Sequence, residues 1–214
     1  MFDMLQQLNA VRRSVGAKVI EAGEARTVTV SQTYNAEVEE VWDACTNAER
    51  IPRWFLPIKG DLRLGGHYQL EGNAGGTIER CEPPRTFSAT WEFGGGISWI
   101  EVRLTPEGDG RTRFELEHLA PEIEDAQWLE YGPGAVGIGW DMAFLGLAMH
   151  LSGAGPLDPE EAMAMMMSEE GRRFMARSSE LWAEASIAFG TPEADARAAA
   201  ERCTAAYTAP PEQP

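Results

Sequence analysis

Cysteine, histidine and basic charge are all scarce in this chain. Cys45, Cys81 and Cys203 lie far apart among 214 residues and form no CxxC pair. Neither a disulfide framework nor a structural zinc site has the residues it needs. The three histidines are isolated, and His150 has no second ligand at i+4 or i−4, so no metal is expected. No P-loop, GxSxG or HExxH occurs, no dinucleotide-binding GxGxxG is expected, and no cofactor is implied. Lys and Arg number 18 against 34 Asp and Glu, a net charge of −16. Such a field repels polyanions, which argues against nucleic acid and against anionic membrane surfaces. The opening MFDMLQQLNAVRR has an early Asp, no continuous apolar core and no small-residue cleavage site, unlike a secretory signal. Together with the odd cysteine count this predicts a reducing, cytoplasmic setting.

What the chain does have is an ordinary globular composition, 43% hydrophobic and 24% charged, enough for one core and a helical appendage. The organising stretch is 131–151, YGPGAVGIGWDMAFLGLAMHL. Trp140, Phe144, Leu147 and Leu151 share one helical face, and Ile138, Met142, Leu145 and Met149 share another. A helix apolar on two faces is covered on two sides. Asp141 interrupts the run, which reads as too short to span a bilayer.

Before it, Met4, Leu8, Val11, Val15 and Val19 predict an amphipathic helix over 1–22, a cover for its own chain, a lid or a dimer contact. Residues 26–34 alternate as a half-buried strand. Residues 36–45 return to helical spacing with Val38, Val41, Trp42 and Cys45 inward. Asn47 can cap a short second helix bearing Ile51, Trp54 and Phe55. Short strands come next at 61–64, 67–71, 77–81, 85–93, 97–104 and 111–119, with Asp109-Gly110 as a hairpin signal. Closely spaced strands make an antiparallel meander. After the central helix, Asp158-Pro159-Glu160-Glu161 reads as a helix start. Ser168 begins another helix, ending at Gly190, and a last one starts after Thr191-Pro192. The expected layout is a helix at 1–22, a ligand-binding domain at 26–152, a helical extension at 157–207 and a disordered tail at 208–214.

Several segments resemble the START-like (SRPBCC, helix-grip) superfamily, in particular the activator of heat-shock protein ATPase homology family. They are VTVSQTYNAEVEEVWDACTNAERIPRWFLP, DLRLGGHYQLEG, GTIERCEPPRTFSATWEF, VRLTPEGDGRTRFELEH and the helix beginning Gly139-Trp140, which together span 27–151. The tail SSELWAEASIAFGTPEADARAAAERC resembles extensions on actinobacterial members. The resemblance implies an α+β fold: a curved antiparallel sheet of about six to seven strands gripping a long helix, with an apolar cavity between them. It implies a hydrophobic, aromatic or polyketide-like small molecule as ligand, in natural-product metabolism or antibiotic self-resistance. A polyketide cyclase or aromatase and a chaperone-activating co-chaperone are the rival roles, with a chaperone or a second copy of the chain as partner.

The expected lining is Trp54, Tyr68, Leu70, Arg80, Phe87, Trp91, Phe93, Phe114, Leu116, His118, Trp140, Phe144 and Leu147. Tyr68, His118 or Arg80 would orient polar groups of the guest. His118 alternates with Phe114 and Leu116 and is the one weak candidate for a general base; a satisfied interior histidine is the plainer reading. Trp99 falls on the polar face with Glu101 and Arg103, an aromatic that could mark a contact surface. The methionines at 163–167 read as cover for the central helix.

Overall fold

The computed structural model describes residues 3–121, 126–155 and 159–209. Among these, eight strands form one antiparallel sheet: β1 (Arg12–Ile20), β2 (Gly23–Tyr34), β3 (Ile58–Gly60), β4 (His67–Leu70), β5 (Gly75–Glu82), β6 (Thr86–Phe93), β7 (Gly96–Gly108) and β8 (Arg111–Pro121). The spatial order is β1-β2-β8-β7-β6-β5-β4-β3. The helices are α1 (Met4–Ala10), α2 (Val38–Thr46), α3 (Ala126–Tyr131), α4 (Gly134–Leu151), α5 (Pro159–Met167), α6 (Glu169–Phe189) and α7 (Glu193–Thr208). The architecture is the expected α+β helix-grip, with slightly more strands than expected.

The extra strand comes from the N-terminal segment. The helix predicted over 1–22 stops at Ala10, and β1 pairs with β2 in the register Val15↔Val28. Val11, Val15 and Val19 are four apart, a step that keeps one face in a helix and in a strand alike. Gly16 and the β-branched valines favour the strand. The hairpin closes through Gly23, whose φ of 110° suits glycine.

Two further boundaries move. The first strand of the second half is Ile58–Gly60, ahead of the expected 61–64. Asn47 ends α2, and the expected second helix is a single 3-10 turn, Ile51–Arg53, with Pro52 in it. The Asp109-Gly110 signal holds: both residues have left-handed φ, 52° and 68°, as a two-residue hairpin between β7 and β8 needs. The helix start expected at Asp158 and most of the tail expected at 208–214 lie outside the described residues; Thr208 itself closes α7.

Helix α4 packs between the sheet and α6. Phe144 meets Tyr34 and Phe114 on the sheet side. On the other side Gly137 lies so close to Trp182 that an added Cβ would sit 2.2 Å from its ring. By length and composition α4 is long enough to cross a membrane, contrary to the expectation from sequence. Its position is that of a core helix, covered on both faces. Met165 and Met166 pack against the core as cover, whereas Met163 and Met167 are exposed.

Candidate functional site: an aromatic cavity

A cavity of about 310 Å³ opens between the sheet, α2, the 51–55 turn and α4. Its sheet wall carries Tyr68 and Leu70 of β4, Ile78 and Cys81 of β5, Phe87, Ala89 and Trp91 of β6, Ile100 and Val102 of β7, and Phe114 and Leu116 of β8. Strand alternation turns these residues to one face, except in β5, where a register shift between Ile78 and Arg80 brings Ile78 and Cys81 to the same side. Trp42, Cys45 and Thr46 of α2, Ile51, Trp54 and Phe55 of the turn, and Trp140 of α4 close the other side. Ile58, Leu62 and Pro83 complete the rim.

Four of the aromatic rings form a connected chain, and two more form a separate pair. Trp54 stacks on Phe55 with centroids 5.5 Å apart, Phe55 on Trp140 at 6.4 Å, and Trp140 lies 5.0 Å from Trp91. Trp42 meets Phe87 edge-on at 6.0 Å. Such offset and edge-on pairs hold the rings in fixed orientations.

The polar atoms of this lining are largely spoken for. The Tyr68 hydroxyl donates to the Thr90 carbonyl at 2.7 Å, the Trp54 indole N–H to the Ala44 carbonyl at 2.9 Å and the Thr46 hydroxyl to the Trp42 carbonyl at 2.8 Å. Burial pushes the Cys45 thiol up to about 12 and raises the Tyr68 phenol. Among the described residues, no charged side chain lines the cavity.

Eight of the thirteen expected residues line the cavity: Trp54, Tyr68, Leu70, Phe87, Trp91, Phe114, Leu116 and Trp140. The other five do not. A register shift between Ile78 and Arg80 in the β5–β6 pairing turns Arg80 to the outer face, where it pairs with Glu82 and Glu101. Phe93 sits at the end of β6 and is 61% exposed. Phe144 and Leu147 lie where α4 packs directly on its neighbours, so they are core.

His118 is buried beside the cavity and sealed from it. Its ring centroid is 6.0 Å from that of Trp91 and 5.7 Å from that of Trp140, and both of these line the hollow. The Trp140 indole N–H donates to Nδ1 at 3.1 Å, so the proton of the neutral ring is on Nε2, 2.8 Å from Ser98 Oγ. Ser98 in turn donates to the Trp91 carbonyl at 3.0 Å. Burial lowers the His118 pKa to about 4. Both nitrogens are engaged, and neither faces a guest.

Trp99 is half-buried on the outer face, opposite Thr90 and Leu119. Among lining residues absent from the expected set, Trp42 and Cys45 fall on the inner face of α2, so periodicity could have found them. Phe55 could not be found that way, because the 51–55 turn has no period. The string Gly132-Pro133-Gly134-Ala135-Val136-Gly137 has the spacing of a dinucleotide-binding glycine motif, contrary to the expectation that none is present. It joins α3 to α4 instead of trailing a strand, and Gly137 makes room for Trp182.

The profile of the Activator of Hsp90 ATPase homolog 1-like protein family matches residues 35–152. No curated protein matches the chain. Among solved structures, CalU16 from Micromonospora echinospora is 41% identical in its crystal form, with TM-score 0.67 over 83% of this chain and 99% of that one. Its solution structure gives 42% identity and TM-score 0.69 over 85% and 97%. DynU16, from the dynemicin biosynthetic locus, is 21% identical, with TM-score 0.54 over 61% of this chain and 48% of that one. PFC0360w, an HSP90 activator from Plasmodium falciparum, is 21% identical, with TM-score 0.51 over 61% and 97%. The last two share the fold alone.

Proposed function

This chain belongs to the Activator of Hsp90 ATPase homolog 1-like family, and from that premise we propose that it binds or sequesters an uncharged, apolar, ring-bearing small molecule between sheet and helix. The observation that carries this reading is the cavity itself: about 310 Å³, walled by stacked aromatic rings and free of charge among the described residues. A charged guest would lose its hydration there with no partner in return. An apolar guest gains roughly 25 cal/mol per Å² buried, together with ring stacking. The likeness to DynU16, a protein of the dynemicin locus, is compatible with a guest from natural-product metabolism.

A binding role is better supported than a cyclase or aromatase. Cyclisation needs a base that reaches the guest, and the histidine nearest the cavity has both nitrogens committed. The co-chaperone reading draws on the family's description and on PFC0360w, a neighbour that shares only the fold.

The test is a fluorescence titration of the full chain with neutral polycyclic probes such as N-phenyl-1-naphthylamine. Trp42, Trp54, Trp91 and Trp140 all line the hollow, so saturable 1:1 binding should quench or transfer their emission. Ala89→Phe, which fills the cavity, should abolish it. A folded protein that binds no member of an apolar panel saturably would overturn the proposal.

A further inference from the structure

A second hollow, of about 180 Å³, lies across the 51–55 turn from the first, and Trp54 and Phe55 belong to both linings. Its walls are Met142, Leu145 and Met149 of α4 and Ala162, Met165 and Met166 of α5. Helix α5 falls outside the family match at 35–152, so this pocket is built partly by the chain's own extension. Methionine walls are soft and adapt to flexible chains.

Among the described residues, the only titratable side chains in the lining are Arg53 and His150. Neighbouring Arg50 is held by Glu40 and Asp43. Among the described residues, Arg53 by contrast donates only its Nε–H, to the Glu49 carbonyl, and no carboxylate lies within ion-pair distance of it. His150 Nε2 lies 3.0 Å from Arg50 Nη2. Arginine can only donate, so Nε2 accepts and Nδ1 carries the ring proton. Burial, then Arg50 and Arg53, lower the His150 pKa against the opposing Glu40. Among the described residues, Arg53 thus brings one positive charge without a carboxylate partner to the rim of this pocket, on a chain whose net charge is −16.

We propose that this second hollow binds an apolar monocarboxylate, its alkyl chain among the methionines and its carboxylate held at Arg53 and His150. The site is separate from the aromatic cavity, and each proposal can fail without the other.

Titration calorimetry of the full chain with octanoate, decanoate and 1-octanol tests it. Octanoate should bind at one site, and decanoate about fifteenfold tighter, from ~0.8 kcal/mol for each of two methylenes. Arg53→Gln, at an exposed position, should weaken octanoate about two- to fivefold and leave 1-octanol and N-phenyl-1-naphthylamine unchanged. Ala162→Trp should block both alkyl ligands while the naphthylamine still binds; if that variant does not fold, the Arg53→Gln comparison decides alone. Absence of saturable octanoate binding would overturn the proposal. So would octanoate affinity unaltered by Arg53→Gln, which would mean that the chain enters elsewhere.

Discussion

Arg13 and Asp141, 128 positions apart, form a buried ion pair: Nη2 to Oδ1 at 2.8 Å, with side chains 4% and 0% exposed. The guanidinium also donates to the Val11 and Leu8 carbonyls at 2.9 and 3.0 Å. The carboxylate accepts from the Ser178 hydroxyl at 2.5 Å and the Trp182 indole at 3.1 Å. Burial pushes the Asp141 carboxyl up, while Arg13, Ser178 and Trp182 pull it back down. One carboxylate therefore ties together α1, β1, α4 and α6. It fastens the N-terminal hairpin and the C-terminal extension to the helix that the sheet grips.

Removing either partner strands the other charge in the interior. Asp141→Ala should cost about 3–5 kcal/mol of folding stability, read by urea denaturation. Arg13→Met combined with Asp141→Leu should be markedly less damaging than Asp141→Ala alone. A double variant as unstable as the sum of the singles would refute the account.

His118 should make folding sensitive to acid. Its folded pKa, about 4, lies below the unfolded value near 6.5. The unfolded chain then takes up the proton first, so the stabilisation is complete above pH 6.5 and is lost as pH falls toward 4. The loss should approach about 3 kcal/mol. Chemical denaturation of wild type and His118→Gln across that window should give difference curves that converge in acid.

Gly146 seats the wall between the two hollows. A Cβ there would lie 2.2 Å from the Trp54 carbonyl oxygen. Gly146→Ala must push the 51–55 turn outward, at about 1–3 kcal/mol. Because Trp54 and Phe55 line both pockets, binding of the naphthylamine probe should weaken as well. Gly139→Ala, with nothing within 4 Å of the added atom, is the matched control and should leave binding intact.

The Cys45 thiol, pushed up to about 12, should carry a thiolate fraction of roughly one in ten thousand at pH 8. Iodoacetamide should leave it unmodified in the folded protein and alkylate it in urea, as mass spectrometry of peptides would show. Rapid labelling under native conditions would contradict its placement.

Periodicity alone made much of the site legible. Tyr68, Leu70, Phe87, Trp91, Phe114 and Leu116 alternate along strands whose other face is polar, and all six reach the cavity. The same reasoning failed at Arg80, because one irregular pairing between β5 and β6 reverses the face of the residues beyond it. It failed at His118 for another reason: two tryptophans from different elements stand between that ring and the hollow.

Local chemistry determined most of the strands and helices, the two-faced character of 134–151 and the uncharged inner face of β6, β7 and β8, since each depends only on neighbours a few residues away. Whether a step of four residues at Val11, Val15 and Val19 became helix or strand was decided by pairing with β2. That Asp141 became the anchor of a buried cluster, where the sequence displayed only a break in an apolar run, depended on Arg13, Ser178 and Trp182 meeting it from afar. Contacts between distant residues form only when the chain packs, and no local pattern encodes them.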